Sequence, residues 1–162
     1  MLEDRVAIVT GAGQGIGRAI AVELAKAGAH VVASGRRLEP VEAVAGEVRA
    51  LGRRSLALSC DVRDAAQVDR VVAETVREFG QVDLLVNNAG YRIRAPLDQL
   101  PRREWDAMVG TNLTGVFLCC QAVGRVTIPR RAGMYGPGAG GLTTRQSWAC
   151  ARARCFTCKV AM

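Results

Sequence analysis

Four short apolar runs, each followed by a stretch of helical periodicity, constrain this chain more than any other feature. The runs are "RVAIVT" (Arg5–Thr10), "HVVAS" (30–34), "SLALSC" (55–60) and "VDLLVN" (82–87). Each is strand-sized and almost wholly apolar, as a strand buried on both faces must be. Between them, Ile16, Ile20 and Leu24 recur every four residues from Gly15 to Gly28 and predict one helix face. Val41, Val44, Val48 and Leu51 predict a second, ending at Gly52. Val68, Val71, Val72, Thr75, Val76 and Phe79 predict a third, opened by Asp64 and Gln67 in capping-box spacing and closed by Gly80. Strands that alternate with helices through short links have to lie parallel, because each helix carries the chain back over the sheet. The expectation is an α/β chain with a doubly wound parallel sheet, strand order 3-2-1-4, and helices on both faces. A further helical stretch starts near Arg102, breaks near Gly110 and resumes from Phe117 to Val126.

After Pro129 no period of 2 or 3.6 persists, and charge marks the same boundary. Residues 1–112 hold 15 Lys and Arg against 15 Asp and Glu. Residues 113–162 hold seven basic residues and no acidic one, so the whole net charge of +7 belongs to the last 50 residues. Two parts are therefore read: a patterned α/β part over residues 1–128 and an irregular basic tail over 129–162. The basic tail has no periodic face and no interleaved aromatics, so nucleic acid is not an expected partner. The apolar runs are too short to span a membrane, and no long apolar stretch follows the charged opening "MLEDR". A cytoplasmic location is expected, with the six cysteines as reduced thiols.

"TGAGQGIG" (Thr10–Gly17) joins the first strand to the first helix. Unpaired N–H groups at a helix N-terminus attract a phosphate, and glycines let the backbone approach it. With "CDV" (60–62) after the third strand and "NNAG" (87–90) after the fourth, the chain resembles the short-chain dehydrogenases/reductases from about Leu2 to Ile128. All three motifs sit at carboxyl ends of expected strands, where a doubly wound sheet binds its ligand. The resemblance implies that residues 1–128 are a partial dinucleotide-binding domain with a Rossmann-like sheet, here truncated after about four strands. It also implies a cofactor site of Gly11, Gln14, Gly15, Ile16, Gly17, Arg36, Asp61, Val62, Asn87, Ala89 and Gly90, with Asp61 and Val62 at the adenine. Small Ala89 and Gly90 leave room for a ribose, and the amides of Asn87 and Asn88 can bridge neighbouring strands. After the second strand, Gly35 stands where an NAD site places a carboxylate, and Arg36 and Arg37 follow. NADP(H) is favoured over NAD(H), because Arg36 can fork onto a 2′-phosphate; Gln14, where many NADP-binding relatives carry a basic residue, argues the other way.

The reaction that the resemblance implies is hydride transfer to a small-molecule carbonyl or from an alcohol. It requires a tyrosine acid, a lysine four residues later, a serine and an asparagine. Asn112 in "GTNLTG" matches the asparagine. Tyr91 and Tyr135 are the only tyrosines, and Ala95 and Ala139 stand four residues after them. "AGMYGPG" (Ala132–Gly138) resembles the loop that follows the serine-bearing strand, although that strand is missing. Read from the third base of its codons, "LTTRQSWAC" (Leu142–Cys150) permits Tyr-x-Ala-Ser-Lys-Leu-Gly-Val, so the tail reads as an out-of-frame catalytic region. Cys155 and Cys158 lack partners for a zinc site, His30 reads as a strand-start residue, and adjacent Cys119 and Cys120 read as small apolar residues; no metal is expected. Enzyme status is open between an oxidoreductase without its catalytic groups and a non-catalytic nucleotide-binding half-domain. The resemblance implies homo-oligomers among relatives, whereas an exposed edge on the fourth strand is expected here to favour aggregation.

Overall fold

The computed structural model describes residues 2–130 and the backbone of 134–137. Its elements are β1 (Val6–Thr10), α1 (Gly15–Lys26), β2 (His30–Gly35), α2 (Leu38–Ala50), β3 (Ser55–Ser59), α3 (Ala65–Phe79) and β4 (Leu84–Asn87), followed by α4 (Arg102–Val109), α5 (Gly115–Thr127) and β5 (Met134–Pro137). The sheet is parallel throughout, in the order β3-β2-β1-β4-β5.

The pleat sorts the strand residues into two layers. Ile8, Val32 and Leu85 point to the side covered by α3 and α5, where Val68, Val71, Val72, Cys119 and Val123 meet them. Val9, Val31, Ala33 and Val86 point the other way, onto α1 and α2 through Ala21, Ala25, Val41, Val44 and Val48. Successive residues face opposite sides, so a central strand can serve both layers only if it is apolar at every position. All five residues of β1 are buried.

Helix faces shift slightly from the expected pattern. In α1 the buried face is Gly17, Ala21 and Ala25, with Ile20 and Leu24 beside it, while Ile16 is 49% exposed. Small residues let this helix lie close to β1 and β2, so its larger apolar side chains flank the contact. Leu51 lies beyond the end of α2 and is exposed. At α3, Asp64 Oδ1 accepts the N–H groups of Ala66 and Gln67 at 2.9 and 3.2 Å. The Gln67 side chain does not return to the Asp64 N–H as a capping box requires; its Oε1 accepts the N–H of Asp61 at 2.9 Å. That bond ties the helix to the loop that follows β3. His30 opens β2 as expected, and its ring stacks on Phe79 of α3 at 5.8 Å.

Two features of the second half depart from the sequence reading. The helix from Arg102 does not break at Gly110. It continues through one π-turn, Gly110–Thr114, as a single 26-residue run to Thr127. By length and composition that run could cross a membrane, contrary to the expectation that every apolar stretch is strand-sized. In the fold it lies on the sheet, with Gly115, Cys119, Ala122, Val123 and Thr127 buried. The sheet also has a fifth strand: Met134–Pro137, expected to be a loop, pairs with β4, Leu84 opposite Met134 and Asn87 opposite Pro137. An unpaired strand edge is a row of unsatisfied N–H and C=O groups, and the chain leaving α5 passes beside it. β4 is therefore paired on both sides, by β1 and by β5. Leu142–Cys150, Cys155 and Cys158 lie outside the described residues.

Candidate functional site

The carboxyl ends of β1 to β4 converge on one edge of the sheet, and the motif residues meet there. Thr10, the last residue of β1, holds the centre together. Its buried hydroxyl donates to the Val86 carbonyl at 3.3 Å and accepts the N–H groups of Asn88 and Ala89, each at 3.0 Å. Asn88 Nδ2 donates to the carbonyls of Thr10 and Gly11 at 3.0 and 3.1 Å. Asn88 thus bridges β4 to the glycine loop, as its amide suggested. Asn87 does something else: buried at the end of β4, it donates through Nδ2 to Cys120 Sγ at 3.4 Å and ties the strand to α5. Cys120 is therefore a hydrogen-bond partner rather than only a small apolar residue. Neither Thr10 nor Cys120 stood out as a site residue, although a hydroxyl directly before the first glycine was visible in the sequence.

The glycines are required by distance. Gly11 has φ +64°, and a Cβ there would lie 2.9 Å from Ala89 Cα. A Cβ on Gly17 would lie 2.2 Å from the Gly11 carbonyl oxygen and 2.4 Å from Asn88 Nδ2. Gly15, at φ +53°, faces open space and turns the chain into α1. The start of α1 then contrasts with that of α3. Asp64 caps α3, whereas Gln14 makes no side-chain cap and the first turn of α1 carries no acidic residue. The Gln14 side chain instead accepts from Arg37 at 3.5 Å. A helix start with uncapped N–H groups, walled by glycine backbone, is chemically suited to a phosphate. The residues present thus fit the dinucleotide that the motif implies.

Around this loop lie the other expected contacts. Arg36 follows β2, and its carbonyl accepts from Ser59 Oγ at 3.2 Å. Asp61 follows β3, and its carboxylate is gripped by Arg63: Nε lies 3.0 and 3.1 Å from the two oxygens and the terminal nitrogen 2.5 Å from Oδ2. Hydrogen bonding to this guanidinium holds the Asp61 carboxyl below its ordinary range, with a smaller contribution from the charge of Arg36. The Val62 side chain is packed against α5, so closely that a Cβ on Gly115 would sit 2.7 Å from it. What Val62 can offer a ligand is therefore its backbone. Asn112, in the π-turn, has both ends of its amide engaged: Oδ1 accepts the Tyr91 N–H at 2.9 Å and Nδ2 donates to the Tyr91 carbonyl at 2.7 Å. The π-turn aims this side chain back at the loop after "NNAG", and Gly90 lies beside it.

Among the described residues no tyrosine has a lysine at hand. Tyr91 donates its phenol proton to Glu104 Oε2 at 2.5 Å, and that bond pushes its pKa up. A catalytic acid that must also ionise needs the opposite shift. The thiols are unsuited too: burial pushes Cys60 up to about 11 and Cys119 up to about 12. The described residues contain no cluster of three or more potential metal ligands.

Comparison with known proteins agrees with this geometry. The model of the short chain dehydrogenase family matches residues 5–134. The chain is 40% identical over 132 residues to 2,3-dihydro-2,3-dihydroxybenzoate dehydrogenase of Bacillus subtilis (strain 168), covering 82% of this chain and 51% of that protein. It is 41% identical over 134 residues to a 3-oxoacyl-[acyl-carrier-protein] reductase of Staphylococcus aureus (strain N315), covering 82% and 54%. A crystal structure of a short-chain type dehydrogenase/reductase from Mycobacterium marinum superposes with a TM-score of 0.79 at 32% identity, over 84% of this chain and 56% of that one. The chain thus spans about half the length of the curated relatives it matches. With glycine loop, "NNAG" and sheet order all in place, it belongs to the short-chain dehydrogenase/reductase family.

Proposed function

We propose that residues 1–128 are the cofactor-binding part of an NADP(H)-dependent oxidoreductase acting on a small carbonyl or alcohol, and that the chain as it stands binds nucleotide without turning substrate over. The observation that carries this reading is the uncapped, glycine-walled start of α1, fixed to β4 through Thr10 and Asn88. Bound there, the cofactor would supply a hydride donor or acceptor. Gly11, Gly15 and Gly17 would admit its pyrophosphate, with Ile16 and Gln14 along the first turn. The Val62 backbone and Asp61 would meet the adenine, and Ala89 and Gly90 would leave space for a ribose beyond Asn87.

The NADP(H) preference rests on charge. No carboxylate follows β2, whereas Arg36 and Arg37 do, and Arg37 already reaches across to Gln14. A carboxylate at that place would repel a 2′-phosphate and hydrogen-bond a free 2′-hydroxyl. Arg36→Asp is therefore expected to reverse the preference, with NADPH affinity falling and NADH affinity rising in paired titrations. Equal curves for both nucleotides before and after the substitution would refute the role of Arg36.

Catalytic incompetence has its own support. Asn112 is the one catalytic-motif residue present, and its amide is occupied by Tyr91. A non-catalytic nucleotide-binding half-domain is the second reading, favoured by the same absence of a tyrosine–lysine pair. Neither reading needs nucleic acid or a membrane as a partner, and a cytoplasmic setting suits both.

A further inference from the structure

Every polar group of Asp61 is engaged within the protein itself. Its N–H donates to Gln67 Oε1 at 2.9 Å, and its carbonyl accepts the N–H of Asp64 at 3.0 Å. On the carboxylate, Oδ1 accepts from the Arg63 N–H and from Arg63 Nε, both at 3.0 Å. Oδ2 accepts from Nε at 3.1 Å and from a terminal guanidinium nitrogen at 2.5 Å. An ionised carboxylate has about four lone-pair sites, and Arg63 alone fills them. The fork is braced from behind. A Cβ on Gly110, at the start of the π-turn, would lie 3.3 Å from Arg63 Cδ and 3.6 Å from Cγ. The Arg63 stem therefore crosses from the loop after β3 to the π-turn, and glycine leaves it the room. Both side chains stay partly open to solvent, Arg63 43% and Asp61 24%, so a ligand can meet the pair.

This engagement decides what a nucleotide base would find after β3. The exocyclic amino group of adenine is a donor, and an ionised carboxylate only accepts. A carboxylate already filled by a guanidinium fork, a strong pair, has little left for a further donor. We propose that Arg63 is a specificity-determining residue for the base: it withdraws the Asp61 carboxylate from base recognition, so that a purine is bound without its 6-amino group being read. The inference rests on the cofactor reading given above and deepens it. Asp61 would meet the base as half of an ion pair, and hydrogen bonding to the ring would fall to the Val62 backbone.

Calorimetric titration of the full chain with ADP and with purine riboside 5′-diphosphate isolates the amino group, the one feature by which these nucleotides differ. Inorganic pyrophosphate, titrated alongside, reports on the glycine loop alone. The unmodified chain is expected to bind the two nucleotides within about twofold of each other. Arg63→Met keeps an apolar stem over Gly110 and removes the fork, whereas Arg63→Ala removes both. Each variant is expected to bind ADP about tenfold more tightly than the desamino nucleotide, the size of one hydrogen bond to a charged acceptor, with pyrophosphate unchanged. Adding Asp61→Ala to Arg63→Met is expected to bring the ratio back to within about twofold. A preference for ADP of about tenfold already in the unmodified chain would overturn the inference, since Asp61 would then read the amino group while paired. Equal affinities for the two nucleotides in both Arg63 variants, with ADP still bound, would overturn it as well and leave the cofactor reading standing. Failure of the unmodified chain to bind either ADP or pyrophosphate would remove the cofactor reading and this inference together.

Discussion

The two halves of the sheet are finished to different degrees. Around β1 and β2 every layer is closed: Val31, Val32 and Ala33 are fully buried between α1 and α2 on one side and α3 and α5 on the other. Along the α4–α5 helix, Trp105, Leu113 and Phe117 stand out, with Leu113 66% and Phe117 59% exposed. Among the described residues, the sheet beyond β4 is a single four-residue strand. The half that carries the glycine loop has its core, its glycine contacts and its cross-strand hydrogen bonds. Among the described residues, the other half offers Asn112 but no tyrosine beside a lysine. In the proposed reading binding and turnover are separable, because the glycine loop, Thr10 and Asn88 all precede residue 129.

The contrast breaks most visibly at Gly17. Gly17→Ala would press a methyl onto the Gly11 carbonyl and Asn88 Nδ2. A loss of about 3 kcal/mol in denaturant unfolding is expected, together with loss of nucleotide binding. A smaller effect sharpens it. Ile8→Ala, in the closed half, should cost about 3 kcal/mol or somewhat less, whereas Leu113→Ala, on the open helix face, should stay within about 0.5 kcal/mol. Equal costs would mean that the two halves are equally packed. A further change, smaller than that at Ile8, concerns α3. Asp64→Ala removes its cap and should cost about 1 kcal/mol, read from the same unfolding curves. Hydrogen bonding to Gln67 holds the Asp64 carboxyl below its ordinary range, so its stabilisation is present at neutral pH and lost in acid, as the pH falls below about 4. The substitution should flatten that acid limb.

Much of this fold was legible in the residue pattern, and the reasons are local. Doubly buried parallel strands have to be apolar throughout, so β1, β2 and β4 announce themselves as runs of Val, Ile, Leu and Ala. Asp64 and Gly80 mark the ends of α3 because a cap and a left-handed turn require such residues. The buried face of α1 was displaced because close packing onto the strands selects Gly17, Ala21 and Ala25, which a search for large apolar residues passes over. The π-turn at Gly110–Thr114 reads as a break in the sequence, since an extra residue in a helix shifts the apolar period much as a break does. β5 was missed because pairing can recruit a segment such as Met134–Pro137 that has no strand pattern of its own.

At the site, motif spacing located the glycine loop, Asp61 and "NNAG". It did not show what each side chain would bond. Asn87 and Asn88 are adjacent and identical, yet one reaches the Cys120 sulfur and the other the glycine loop, because neighbours at a strand end face opposite ways. The Arg63 grip on Asp61 and the Asn112 clamp on Tyr91 arise from loops whose conformations no period encodes.

One assay addresses the separation of binding from turnover most directly. The full chain is titrated into NADPH in the presence of a panel of small carbonyl compounds, and nucleotide fluorescence is followed to saturation and then over time. The expected result is saturable binding, tighter than for NADH under the same conditions, with no oxidation of the bound nucleotide. Failure to saturate, or steady oxidation of NADPH at saturation, would contradict the account.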